Sequence, residues 1–174
     1  MTTIISGSNR LGNVTHQVSQ HYFELMKLKT NDVKLFSLED LPMGFLVPDM
    51  YKSKHPDFLK MENDFIIPAK KIVFVLPEYN GSFPGVLKAF IDACDVKQCF
   101  HNKKAALVGI GSGKSGNQRG LDQLTAILNH MKMVVLPARI YVSNVEEQLN
   151  EDGKLFQPHT LKSIEKQIDE FISF

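Results

Sequence analysis

The chain has 174 residues, 43% of them hydrophobic, and Lys+Arg 20 against Asp+Glu 19 leave a formal net charge of +1. That length and apolar content suit a single domain, residues 1–174, with a full core, and the charge balance provides no global field for nucleic acid. No apolar run is long enough to span a bilayer and no basic stretch precedes the first strand as in a signal peptide, so no membrane partner and a cytoplasmic location are expected.

Ile4-Ile5 begins a short apolar run that breaks at Ser6-Gly7-Ser8-Asn9-Arg10-Leu11-Gly12-Asn13 into a small polar loop. From Val14 the spacing turns helical, with Val14, Val18, Tyr22 and Leu25 on one face. Strand, polar loop, helix is how a chain builds an anion pocket, because the first helical amides lack partners and the helix dipole favours negative charge there. Ser8 and Asn13 can donate from their side chains, and Arg10 adds a permanent charge whose fork fits phosphate oxygens. An ordinary turn capped by Asn13 fits the same residues. Gly7 and Gly12 have P-loop spacing, but Asn13 and Val14 stand where Lys and Ser/Thr belong, and Asn9 occupies the second glycine of a dinucleotide fingerprint. A monophosphate group fits better than either.

Val33-Lys34-Leu35-Phe36 reads as a second strand. Leu41 to Asp57 is irregular, with Pro42, Gly44, Pro48 and Pro56, and carries Phe45, Leu46, Met50 and Tyr51 as an apolar cover or interface. Phe58 to Ile67 looks helical and must stop at Pro68. Lys71 to Leu76 is the clearest strand, a continuous apolar run of the buried parallel kind. In Pro77-Glu78-Tyr79-Asn80-Gly81-Ser82-Phe83-Pro84-Gly85 the two aromatics offer flat faces, and the amides of Asn80 to Ser82 are expected to be open to a ligand. Pro84 to Cys94 is a helix with Leu87, Phe90, Ile91 and Cys94 on one stripe. Ala105 to Ile110 is a fourth strand. Leu121, Leu124, Leu128 and Met131 mark the next helix, Met133 to Leu136, extending toward Tyr141, a fifth strand, and Leu161, Ile164, Ile168 and Ile172 a closing helix. Cys94 and Cys99 are too few and too poorly spaced for a disulfide framework or a C-x-x-C site and read as small buried hydrophobes. The six His form no ligand cluster, so no metal is expected.

This alternation implies an α/β fold, a flavodoxin-like three-layer sandwich with a five-stranded parallel sheet in the order 2-1-3-4-5. A ligand then binds at the carboxyl ends of the strands, beside the first and third. The three polar loops, 7–13, 77–85 and 111–120, all fall there.

The segments G-S-N-R-L-G-N at 7–13 and P-E-Y-N-G-S-F-P-G-V-L-K-A-F-I-D at 77–92 resemble the NADPH-dependent FMN reductases, a group that includes azoreductase-like and chromate- or quinone-reducing flavoproteins. The resemblance runs from Ile4 to about Val142. Gly111 to Gly120 fits as that family's third flavin loop, with Arg119 at its usual arginine. Gly113-Lys114-Ser115 there mimics the end of a P-loop, but Val108 stands where its first glycine would be. The resemblance implies one noncovalent FMN per subunit, NADPH or NADH as reductant, a small-molecule acceptor (quinone, azo compound, metal oxyanion or free flavin), a ping-pong mechanism and assembly as a homodimer or homotetramer. It places Ser8, Arg10, Asn13 and Thr15 at the phosphate, Pro77, Glu78, Tyr79, Asn80 and Gly81 beside the isoalloxazine, Gly111, Ser112 and Gly113 on its other side, and Arg119 as a cation for the reduced ring. No side chain need act as nucleophile or general base. Asn13 replaces a frequent serine, Lys114 and Asn117 replace frequent glycines, and Ala93 stands where many relatives carry an aromatic. The rival readings are a flavodoxin-like electron carrier, disfavoured by a charge near neutral, and a flavin-free interaction domain, disfavoured by the intact second segment.

Overall fold

In the computed structural model, which describes residues 1–174, four strands lie parallel: β1 (Thr2–Ser6), β2 (Val33–Ser37), β3 (Lys71–Pro77) and β4 (Lys104–Ile110). Their order is β2-β1-β3-β4, and the outer position beside β4 is shared by two short strands, β5 (Val134–Val135) and β6 (Ile140–Val142). The five-strand order 2-1-3-4-5 is therefore present, with a sixth strand added.

The single fifth strand expected from Met133 is in fact two. Val134 pairs with Lys104 and Ile140 with Val108, so four steps along β4 face six along the outer chain. Pro137 has no N–H for the ladder. The Ala138 carbonyl turns away and accepts from Gln167 Nε2 at 2.7 Å. Gln167, fully buried, also donates to the Leu107 carbonyl and accepts from the Tyr22 hydroxyl. One amide thus satisfies the polar groups that the break would otherwise leave stranded in the core.

Side chains along each central strand alternate between two cores. Ile5, Ile72, Phe74, Leu76, Ala105 and Leu107 face one side, packed by α2 (Pro56–Met61), α3 (Gly85–Ala93) and α5 (Gln118–His130). Ile4, Val73, Val75, Ala106, Val108 and Ile110 face the other, packed by α1 (Val14–Lys27) and α6 (Pro158–Ser173). Both faces being covered explains why these strands read as unbroken apolar runs. In the closing helix Phe171 fills the core and Ile172 is left half exposed.

Two helices differ from their expected outlines. The one expected over Phe58–Ile67 starts at Pro56, capped by the His55 ring, and widens after Met61 into a π-type turn over Glu62–Ile66. The one expected over Pro84–Cys94 ends at Ala93, because Cys94 is extended (ψ 153°). Asp95 then accepts from the Gln98 N–H and starts a single-turn helix, α4 (Val96–Cys99). The irregular apolar segment divides in two. Phe45 stacks on buried Phe58 with ring centroids 5.5 Å apart and Met50 is buried, whereas Leu46 and Tyr51 face solvent. No helix is long and apolar enough to cross a membrane.

Candidate functional site

Ser6 pairs with Val75, Val75 with Val108 and Val108 with Ile140, so the loops leaving these strands emerge from one edge of the sheet. They enclose a cleft of about 290 Å³. Of the residues singled out in the sequence, Arg10, Asn13, Thr15, Pro77, Glu78, Tyr79, Gly111 and Ser112 line it. Ser8 lies just beneath, fully buried.

One end of the cleft is the head of α1. The amides of Val14 and Thr15 have no carbonyl of the helix within reach, and no other group of the chain accepts from them. Asn13 caps the helix: its Oδ1 accepts from the His16 N–H at 2.8 Å. Its Nδ2 donates to the Arg10 carbonyl and to Glu39, so the side chain holds the loop shape and its donor is already engaged. Arg10 is exposed at the rim and enters no ion pair. Gly7 serves packing: a Cβ there would come within 2.6 Å of the Leu76 side chain and 2.9 Å of the Val75 carbonyl.

The second loop turns tightly. Tyr79 and Ser82 exchange backbone hydrogen bonds at 2.9 and 3.1 Å, and Asn80 (φ 51°) and Gly81 (φ 77°) take the two left-handed positions between them, the geometry of a two-residue hairpin turn. The Ser82 amide is therefore closed by the turn, contrary to expectation, and only those of Asn80 and Gly81 stay open. The turn holds Asn80 and Gly81 just outside the cleft lining, with exposed Arg119 beside Gly81. The Tyr79 hydroxyl reaches back 2.9 Å from Ser8 Oγ, which joins the second loop to the first.

The third loop is fastened to the second by side chains. Asn117 is fully buried, in the left-handed region (φ 63°), and its Nδ2 donates to the carbonyls of Leu76 and Pro77 at 3.2 and 2.8 Å. Ser115 Oγ donates to Glu78 Oε2. On its far side the Gly113 carbonyl accepts from the Asn144 N–H and that of Gly111 from the Val145 N–H, which leaves Gly113 outside the lining and brings Val145 and Glu146 into it. Those two residues were not anticipated. The signal for them is the strand before them: β6 pairs with β4, so the turn following it must open onto the same edge.

A family model described as NADPH-dependent FMN reductase matches residues 2–147. The chain belongs to that family. Over 167 residues it is 26% identical to an NAD(P)H-dependent FMN reductase of Pseudomonas aeruginosa, covering 94% of this chain and 89% of that one. It is 23% identical to a 2-hydroxy-1,4-benzoquinone reductase of Burkholderia, covering 98% and 93%. Among solved structures, the NAD(P)H:(acceptor) oxidoreductase FerB of Paracoccus denitrificans superposes with a TM-score of 0.79 at 23% identity, covering 99% and 94%. As a member of the family the protein is an oxidoreductase dependent on FMN and NAD(P)H.

For this FMN reductase the Asn117 clasp sets the spacing between two walls of the cleft. Asn117→Gly keeps the left-handed backbone available while removing the buried side chain and its bonds, so it separates the clasp from backbone strain. It should weaken FMN by roughly tenfold, since about 1.4 kcal/mol corresponds to one decade and a neutral hydrogen bond contributes about 1 kcal/mol. Fluorescence titration checks this, and equal FMN affinity in the variant and wild type would show that the clasp does not shape the site.

Proposed function

We propose that FMN binds in this cleft with its phosphate at the head of α1 and its ring between the 77–81 and 111–113 loops. Electrons would pass from NAD(P)H to a small acceptor of the quinone, azo, metal-oxyanion or free-flavin class by a ping-pong mechanism. The observation that carries the reading is the pair of unpartnered amides of Val14 and Thr15 opening into the same cleft as Arg10. A helix head with free N–H groups, a positive dipole end and a guanidinium at the rim is complementary to a phosphate. Thr15 adds a hydroxyl at that end, while buried Ser8, expected at the phosphate, instead braces the loop through the Tyr79 hydroxyl and the Arg10 N–H. The open amides of Asn80 and Gly81 suit the acceptor edge of a flat heteroaromatic ring, and Arg119 beside Gly81 suits negative charge developing there.

Bound there, FMN would supply the hydride-accepting and electron-donating chemistry of the reaction. The protein orients, screens and desolvates. The clasped loops fix the width of the cleft, and Val145 and Glu146 close its third side. The alternative of an electron carrier without nicotinamide activity finds no support in a net charge of +1, which offers no strongly charged docking face. That curated relatives include a benzoquinone reductase and an azoreductase supports the acceptor class. Assembly as a homodimer or homotetramer would cover exposed Leu46 and Tyr51, and sedimentation should give at least a dimer; a monomer at micromolar concentration would refute it.

Because one cleft with no second nucleotide fingerprint serves donor and acceptor, the two should occupy it in turn. Double-reciprocal plots at several acceptor concentrations should be parallel, and intersecting lines would show a ternary complex instead. Arg10→Ala should leave the fold intact and weaken FMN by roughly ten- to a hundred-fold, as a charge-assisted hydrogen bond contributes about 1.5–3 kcal/mol. Riboflavin, which lacks the phosphate, should barely change. An equal loss for both ligands would place Arg10 away from the phosphate.

A further inference from the structure

The corner where α3 meets α4 holds a group of polar side chains outside the flavin cleft. Glu62 is 2% exposed and opens the π-type turn, a local widening that often marks a functional position. Its Oε1 accepts from the Asp95 N–H at 2.8 Å and from the Cys99 thiol at 3.5 Å. Lys54 Nζ donates to both carboxylate oxygens, at 2.7 and 2.8 Å. Cys94 and Cys99 are free and buried. One carboxylate oxygen of Glu62 and the two sulfurs all lie within 4.8 Å of one another.

We infer that Glu62, Cys94 and Cys99 form a binding site for a thiophilic divalent cation of the Zn²⁺ class. Two sulfurs and one carboxylate oxygen are a donor set that such borderline-soft ions accept. Tetrahedral bonds of about 2.3 Å to sulfur and about 2.0–2.2 Å to oxygen put ligand atoms about 3.5–3.8 Å apart. The three atoms are therefore within roughly 1 Å of occupying three corners of a tetrahedral shell, with the fourth corner open. The Asp95 N–H, already on the carboxylate, would orient it as an outer-shell donor does in metal sites.

Charge decides which ion can enter. The pair of Glu62 and Lys54 is neutral as it stands. A divalent cation replaces the protons of both thiols, which leave as two H⁺, so two thiolates and a carboxylate surround two positive charges. The one remaining negative charge is matched by Lys54. The buried total is zero before and after, so binding adds no net charge to the interior. Lys54 keeps its bond to the second carboxylate oxygen and yields only the first. The Lys54 side chain is partly exposed, and the residues just before it, Tyr51 to Ser53, face solvent.

Titrating the FMN-loaded, reduced protein with Co²⁺ tests this. The expected result is one Co²⁺ per chain, two protons released per ion, sulfur-to-cobalt charge transfer and visible tetrahedral bands beyond the flavin absorption. Zn²⁺ should displace the Co²⁺. Cys94→Ser and Cys99→Ser should each weaken binding at least tenfold and lower the charge-transfer intensity, while FMN titration stays as in wild type. If a variant fails to fold, wild-type thiol alkylation stands in: Zn²⁺ should slow it strongly. No metal uptake, bands that survive both serine variants, or alkylation indifferent to Zn²⁺ would overturn the site and leave the cluster as a structural staple around Glu62.

Discussion

Parallel pairing in register between β1, β3 and β4 is the constraint on which the rest of the structure depends. Parallel strands need crossover helices, the crossovers bury both faces of the sheet, and every loop that follows a strand then leaves from the same edge. Three polar stretches separated by up to a hundred residues of sequence meet in one cleft for that reason. A one-residue slip of β3 against β1 would exchange the cores that Phe74 and Val75 face and carry Tyr79 away from Ser8. Register thus fixes both the packing and the distance between the head of α1 at one end of the cleft and the second- and third-loop walls proposed to hold the ring.

The cleft itself is made of backbone conformations that few residues tolerate, fastened by a small number of side chains. Asn80 and Gly81 take left-handed positions in one loop and Asn117 takes one in another. The Tyr79 hydroxyl, the Asn117 amide and the Ser115 hydroxyl then link the loops pairwise. Where the family resemblance leads one to expect a glycine at 117, this chain has a residue that accepts the same backbone shape and adds two hydrogen bonds. The result is a cleft with its walls held by the chain itself, which would lower the ordering cost of binding a rigid planar ring.

Much of this is legible in the sequence because the signals are local. Lys71–Leu76 reads as a buried strand since both its faces are covered, and the loops at 7–13, 77–81 and 111–113 are marked by glycine, asparagine and serine at a strand-to-helix junction. What is not legible depends on distant partners. The break between β5 and β6 follows from Pro137 together with an amide on α6, thirty residues on. Val145 and Glu146 enter the cleft only because β6 is a separate strand on β4. Cys94 and Cys99 look like small hydrophobes until the fold brings Glu62 against them. Asn13 offers a free donor on paper, and the structure uses that donor within its own loop.

The central claim is that this cleft holds FMN where a nicotinamide can reduce it. Mixing the FMN-loaded protein with NADPH or NADH without oxygen, and following the flavin absorbance, tests it most directly. The account predicts rapid and complete bleaching at one nicotinamide per flavin, with colour returning when a quinone is added. A protein that takes up FMN yet keeps its colour with both nicotinamides, or one that takes up no FMN, would contradict it.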